Sequence, residues 1–212
     1  NRLSSLTMGT KCFMIHETPR FRLSLRRYSD RAADKCPGKY RYHNAQTAPI
    51  TVIERPKHAE GHYDVSPIER DLTPPQDDPR WPVRCDHCEY RFDNQDHFQL
   101  FTDHIYVDDA GTEYSLRNPV PGMMWFADWM SEDWHGPDGH CLVAVCPNGS
   151  EWMIDGRASN CTMPQDRGHR CWVRHGVPPN GTVDKNGKTC AAVLVSIAVP
   201  GYHGFLRNGE FT

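Results

Sequence analysis

A chain of 212 residues is long enough for one sizeable domain, or for one domain with a metal-stapled subdomain. Only 38% of it is hydrophobic, it carries 17 prolines and 16 glycines, and its mean hydropathy is −0.70, so cross-links are expected to supplement a lean core. The net charge is −3 and no apolar run approaches the roughly 20 residues of a bilayer-spanning helix, so no membrane partner is expected.

The opening residues Asn1 to Met8 show no apolar region of a signal peptide. Residues 1–54 then form a basic N-terminal segment. From Arg20 to Arg41, eight cations face two acids, a local balance of +6. The stretch Asp86 to Asp133 is the reverse, with eleven acids against Arg91 and Arg117, a balance of −9. Opposed patches of this kind suit head-to-tail contact between copies, or a basic surface meeting nucleic acid through Arg20–Arg41. Within the segment, Lys11 to His16 reads as a strand, and Arg22 to Tyr28 fits strand or helix equally. Cys36-Pro-Gly is a turn signal.

Residues 55–84 are proline-rich, charged and aperiodic, and read as an extended connector. Residues 85–212 form the knuckle and a β-rich main domain. Phe98–Val107, the turn at Asp108 to Gly111, and Thr112–Leu116 read as a hairpin. Pro121–Met130 reads as a short helix with Met123, Phe126 and Met130 on one side. Cys141–Cys146, Pro-Asn-Gly and Glu151–Asp155 form the clearest hairpin. Ala191–Val199 reads as a buried strand from its β-branched content. The fold class expected is α+β and β-rich, built from hairpins and long loops around a zinc-ribbon-like subdomain.

The strongest chemical signal is Trp81-Pro-Val-Arg-Cys-Asp-His-Cys-Glu-Tyr-Arg-Phe92. Cys85 and Cys88 flank a polar turn that aims both sulfurs at one point, as a zinc knuckle does. Two more ligands are needed, and Cys36-x6-His43 supplies them from across the connector. Cys141 and Cys146 flank an apolar strand and would point to opposite faces, so they compete poorly. His87 and His97 remain spare donors. A second cluster, Cys161, His169, Cys171, His175 and Cys190, holds more donors than one zinc needs. It reads as a second zinc site, a disulfide or redox pair, or buried small hydrophobes.

Two catalytic readings compete with structure. Cys161 with His169 or His175 and Asp155 could form a nucleophile, base and orienting acid. His58-Ala-Glu60 followed by Cys85-x2-Cys88 echoes the zinc deaminase signature, but Pro82 is three residues from Cys85 and no helix is indicated at His58. Arg167 to His175 interleaves cations with an indole and is a second candidate nucleic-acid surface. Asn148-Gly-Ser, Asn160-Cys-Thr and Asn180-Gly-Thr match the N-glycosylation pattern, yet an odd count of nine cysteines in ligand-like spacing favours an intracellular setting over a secreted glycoprotein.

The runs Asp155 to Cys161, His169 to Gly176, Val183 to Cys190 and Tyr202 to Gly209, with Trp81 to Phe92 and Trp125 to Met130, resemble a family of tailed-bacteriophage proteins with a zinc-knuckle motif. The resemblance implies a phage origin and carries no residue's role with it. The expectation is therefore a zinc-stabilised phage structural or interaction protein, in the virion as a capsid or auxiliary component that contacts other virion proteins or copies of itself, or in the host cytoplasm. The alternative is a zinc or cysteine enzyme acting on nucleotides or nucleic acid during infection.

Overall fold

The computed structural model describes residues 9–38, 41–66, 72–158, 160–185, 190 and 196–212. Among them there is no α-helix; regular structure is strand, with 3-10 turns at Ala33–Lys35 and Glu132–Trp134. The fold is β-rich, and the helical share expected of an α+β chain is not found in the described residues. No described helix is long and apolar enough to cross a membrane.

The chain forms two compact units, one of residues 17–105 and one joining residues 1–16 to 106–212. The basic segment, the connector and the knuckle all fall largely within the first.

In the unit of residues 17–105, the long strand His16–Ser29 is the organising element. Its odd positions Phe21, Leu23, Leu25, Arg27 and Ser29 are buried, while among the even ones Arg20, Arg22, Arg26 and Tyr28 are partly exposed and Thr18 and Ser24 are buried. That period-2 pattern selects strand over helix once one face has a core to pack against. His43–Gln46 and Thr51–Glu54 pair antiparallel with its two halves, and His97–Val107 lies along its other edge.

In the unit of residues 1–16 and 106–212, the strand Leu142–Val145 is central and buried at every residue. Its alternate side chains enter two separate clusters. Leu142 and Ala144, followed by Cys146, pack with Val183, Leu206 and Phe211; Val143 and Val145, preceded by Cys141, pack with Met123, Trp125 and Tyr106. Cys141 and Cys146 thus lie on opposite faces. The antiparallel partner Glu151–Met153 completes the hairpin read from the sequence. Glu113–Tyr114 likewise pairs with the end of His97–Val107, at Tyr106 and Val107.

The helix expected at Pro121–Met130 is instead a strand, Met123–Phe126, antiparallel to Leu142–Val145 and parallel to Phe13–Met14. A continuous apolar run has no period that separates a buried strand from a buried helix. The backbone decides: Gly122 has φ +88°, and a Cβ there would sit 2.2 Å from the Lys11 carbonyl oxygen. Of the strand expected at Ala191–Val199, residues 191–195 lie outside the described residues, and Ile197–Val199 pairs with Tyr202–Gly204.

Candidate metal centres

Two groups of four donors each draw their ligand atoms within 4.8 Å of one another: Cys36, His43, Cys85 and Cys88 in one unit, and Cys161, His169, Cys171 and Cys190 in the other. Each is a three-cysteine, one-histidine set that could hold a metal ion.

The first is assembled by three pieces of backbone. Cys36 ends the 3-10 turn Ala33–Lys35, its N–H donating to the Ala33 carbonyl at 2.9 Å. His43 begins the strand His43–Gln46. The knuckle closes as the Cys85 N–H donates to the Tyr90 carbonyl at 2.9 Å, and it is tied to the strand by the Asp86 N–H on the Asn44 carbonyl, also at 2.9 Å. The sulfurs of Cys85 and Cys88 each lie 3.9 Å from that of Cys36, and His43 Nδ1 is 3.2 Å from the Cys88 sulfur.

The turn surrounds these sulfurs with donors. The N–H groups of His87 and Asn44 each reach Cys85 Sγ at 3.4 Å, and the Tyr90 N–H donates to Cys88. Burial raises the Cys85 thiol, but the N–H groups of His87 and Asn44, with His43 and Cys88, outweigh it and bring the thiol down to about 6. Cys88 moves up: the Tyr90 N–H lowers it, while burial and the adjacent Cys85 and Cys36 raise it further. The lowered Cys85 thiol and the N–H groups around the sulfurs fit a cation at the centre, since three thiolates about a divalent ion still leave one negative charge for N–H groups to stabilise. His43 offers Nδ1 to the cluster while its buried Nε2 has no hydrogen-bond partner.

The second group sits on loops. Cys171 Sγ lies 3.8 Å from Cys190 Sγ and 3.5 Å from His169 Nε2. Donors again face sulfur: Ala158 N–H to Cys171, and Met163 N–H and the Arg157 guanidinium to Cys161, each at 3.3 Å. Arg157 also spans the loop, donating to the carbonyls of Met163 and Asp166 at 2.7 Å. Burial pushes the Cys171 thiol up to about 11, with Cys161 and Cys190 adding to it against the Ala158 N–H. The cysteines outside both groups are different. Burial holds Cys12 up at about 12 and Cys141 and Cys146 at about 11, the state of inert core thiols.

Several candidate donors lie elsewhere. His175 is not in the second group; its strand Val173–His175 turns the ring to Asp184, 2.7 Å away. His87 is exposed, and His97 stacks on Tyr28. His58, of the deaminase echo, pairs with Asp64 at 3.6 Å, outside the Cys85–Cys88 set. Asp155 accepts from the Leu142 N–H at 2.9 Å and from Arg174 Nε at 2.8 Å, so its carboxylate is bonded away from His169.

The two cation-rich stretches also have internal partners. Arg27 is buried and donates to the Asp93 carbonyl, and Arg31 meets Asp93 at 2.7 Å. Arg170 donates to the His135 carbonyl, and Arg174 to Asp138 and Asp155. Of the signals missed in the sequence, Arg157 and Tyr90 matter most. Each lies within two to four residues of a ligand cysteine, but nothing in their spacing marks them.

Fold and sites together describe a β-rich protein in which, among the described residues, each unit carries a Cys3His group that could hold a metal ion. No protein-family model, curated protein or solved structure matches the chain.

Proposed function

We propose that the protein is a zinc-stapled interaction protein of a tailed bacteriophage, with one structural zinc in each unit, acting by contact within the virion rather than by catalysis. The observation that carries the reading is the pair of Cys3His groups wrapped in N–H donors. Three thiolates and an imidazole match the ligand preference of Zn²⁺, and four protein ligands fill its tetrahedral positions, leaving none for substrate. Zinc binding would then add directly to folding free energy in a chain with a lean core. The phage setting rests on the sequence runs around Cys161, His169, Cys190 and Tyr202, and the virion role on the polar composition and opposed charge. The alternative of an enzyme triad is weakened because Asp155 is bonded to Arg174 and Leu142.

Elemental analysis of purified protein tests the metal, with about two zinc ions per chain expected and none overturning the reading. Mass spectrometry of purified virions tests the role. A structural component is present in many copies; absence from the particle, with expression during infection, would favour the enzyme.

A further inference from the structure

The outward face of the sheet in residues 17–105 is unlike any other surface described. Arg20, Arg22, Arg26 and Tyr28 project from the strand His16–Ser29. Register sets Glu54 beside Arg20, Val52 beside Arg22, Gln46 beside Arg26 and Asn44 beside Tyr28. From His97–Val107 come Asp103, 3.7 Å from Arg22, then Phe101, then exposed His97, which stacks on Tyr28 with centroids 4.7 Å apart.

Arg26 is at the centre and is held by neutral groups. Its Nε donates to Asn44 Oδ1 at 2.6 Å and its Nη2 to the Tyr42 hydroxyl at 2.8 Å. Its guanidinium carbon lies 5.2 Å from the ring of Tyr28 and 5.7 Å from those of Tyr42 and Phe101. Rings fix its direction without cancelling its charge. Arg31 of the same unit is the contrast, with its charge met by the Asp93 carboxylate.

We propose that this face binds single-stranded nucleic acid, with a backbone phosphate against Arg26 and an unpaired base extending the ring stack at His97. Positive charge interleaved with aromatic rings on an open sheet is what a single strand needs: phosphates take the cations and bases take the ring faces. A duplex hides its base faces, and an acidic peptide would use the charge but leave the rings without a role. The inference goes beyond the structural role proposed above and needs no metal at the face.

The test uses zinc-loaded full-length protein and fluorescein-labelled dT20, read by anisotropy. Binding is expected to dT20 and to weaken with salt along a log–log slope of about −0.7, as the one phosphate contact at Arg26 implies. The matching dT20·dA20 duplex should bind at least 10-fold more weakly. Arg26→Gln should lose roughly 10-fold in affinity and His97→Ala several-fold, while Arg31→Gln, whose charge is met by Asp93, leaves affinity unchanged; zinc content and melting temperature confirm each variant's fold. The proposal is overturned by no binding of dT20 at low salt, by equal binding of the duplex, by equal effects of Arg26→Gln and Arg31→Gln, or by a polyglutamate peptide that displaces dT20 at equal charge concentration.

Discussion

The ring of Tyr90 lies flat on the ring of His43, with centroids 3.9 Å apart and planes 4° from parallel. The same residue's N–H faces Cys88, its carbonyl receives the Cys85 N–H, and its hydroxyl donates to Asp96 at 3.0 Å. One side chain therefore sets the imidazole plane, closes the knuckle and ties both to a buried carboxylate. Groups behind the ligands commonly govern metal affinity in this way.

Tyr90→Phe keeps the stacked ring and loses the hydroxyl, so it should cost about 1 kcal/mol of stability and leave the metal in place. Tyr90→Ala frees the His43 ring and should weaken metal retention roughly 10- to 100-fold. Chelator competition monitored by a colorimetric zinc indicator measures both; equal retention in the two variants would show that stacking does not matter.

Cys85→Ser and Cys171→Ser should each remove one zinc of two and spare the other. Structural zinc is worth roughly 10 kcal/mol or more in small peptides, so local order should go with it. Hydrogen exchange should then rise around Cys36–His43 and the knuckle in the first variant, and around Cys161–Cys171 in the second. Loss of both ions from either variant would contradict separate sites.

Alkylation should separate the most reactive ligand cysteines from the core cysteines. In the zinc-loaded protein all should react slowly. After chelation Cys85, with its thiol brought down to about 6, and the half-buried Cys161 should react first, whereas Cys12, Cys141 and Cys146, buried and with thiols held up at about 11 to 12, stay slow until global unfolding. Peptide mapping reads the order; a fast Cys161 before chelation would revive the nucleophile reading.

Arg174 is 9% exposed and lies between Asp155, 2% exposed, and Asp138. Removing it as Arg174→Met leaves the Asp155 carboxylate buried beside a single backbone donor. Breaking a buried pair on one side costs about 3–5 kcal/mol, so a drop of several degrees or more in melting temperature is expected. The double variant Arg174→Met with Asp155→Leu should recover part of it.

Asp96 gives a pH signature. Burial raises its carboxyl, but hydrogen bonds from Ser29, the Asp93 N–H and Tyr90 outweigh burial and hold it below the ordinary carboxylate range. A depressed folded value means the group stabilises the fold above its unfolded value near 3.9, and that contribution fades as pH falls through the folded value. The stability gap between wild type and Asp96→Asn should therefore be widest near neutrality and narrow as pH falls below about 4. A gap independent of pH would remove Asp96 from the acid response.

Hairpins around Asn148-Gly and Asp108 to Gly111 were legible because turn chemistry and strand alternation are local. So was the Cys85–Cys88 knuckle, whose two residues of spacing leave little freedom in where the sulfurs point. The stretch Arg22 to Tyr28 of the long strand is ambiguous in the sequence, since alternation identifies a strand only when something covers one face. Met123–Phe126 was misread as helix for the complementary reason, since a segment buried on both sides carries no period at all.

What the sequence determined by itself was chemistry at short range: a lean β-rich chain, a two-thiol turn, and a surplus of histidine and cysteine ligands. Tertiary structure alone decided which ligands meet. Cys36 and His43 are some forty residues and more from Cys85, and reach it because His43–Gln46 pairs with the long strand while the knuckle bonds to Asn44. His175 left the second set because strand pairing with Thr182–Asp184 turned it to Asp184. The charge runs changed meaning as well, since Arg27, Arg31 and Arg174 found partners that folding placed beside them. Spacing sets which donors can share an ion within a turn, but between distant segments only backbone pairing and a common core fix the distance.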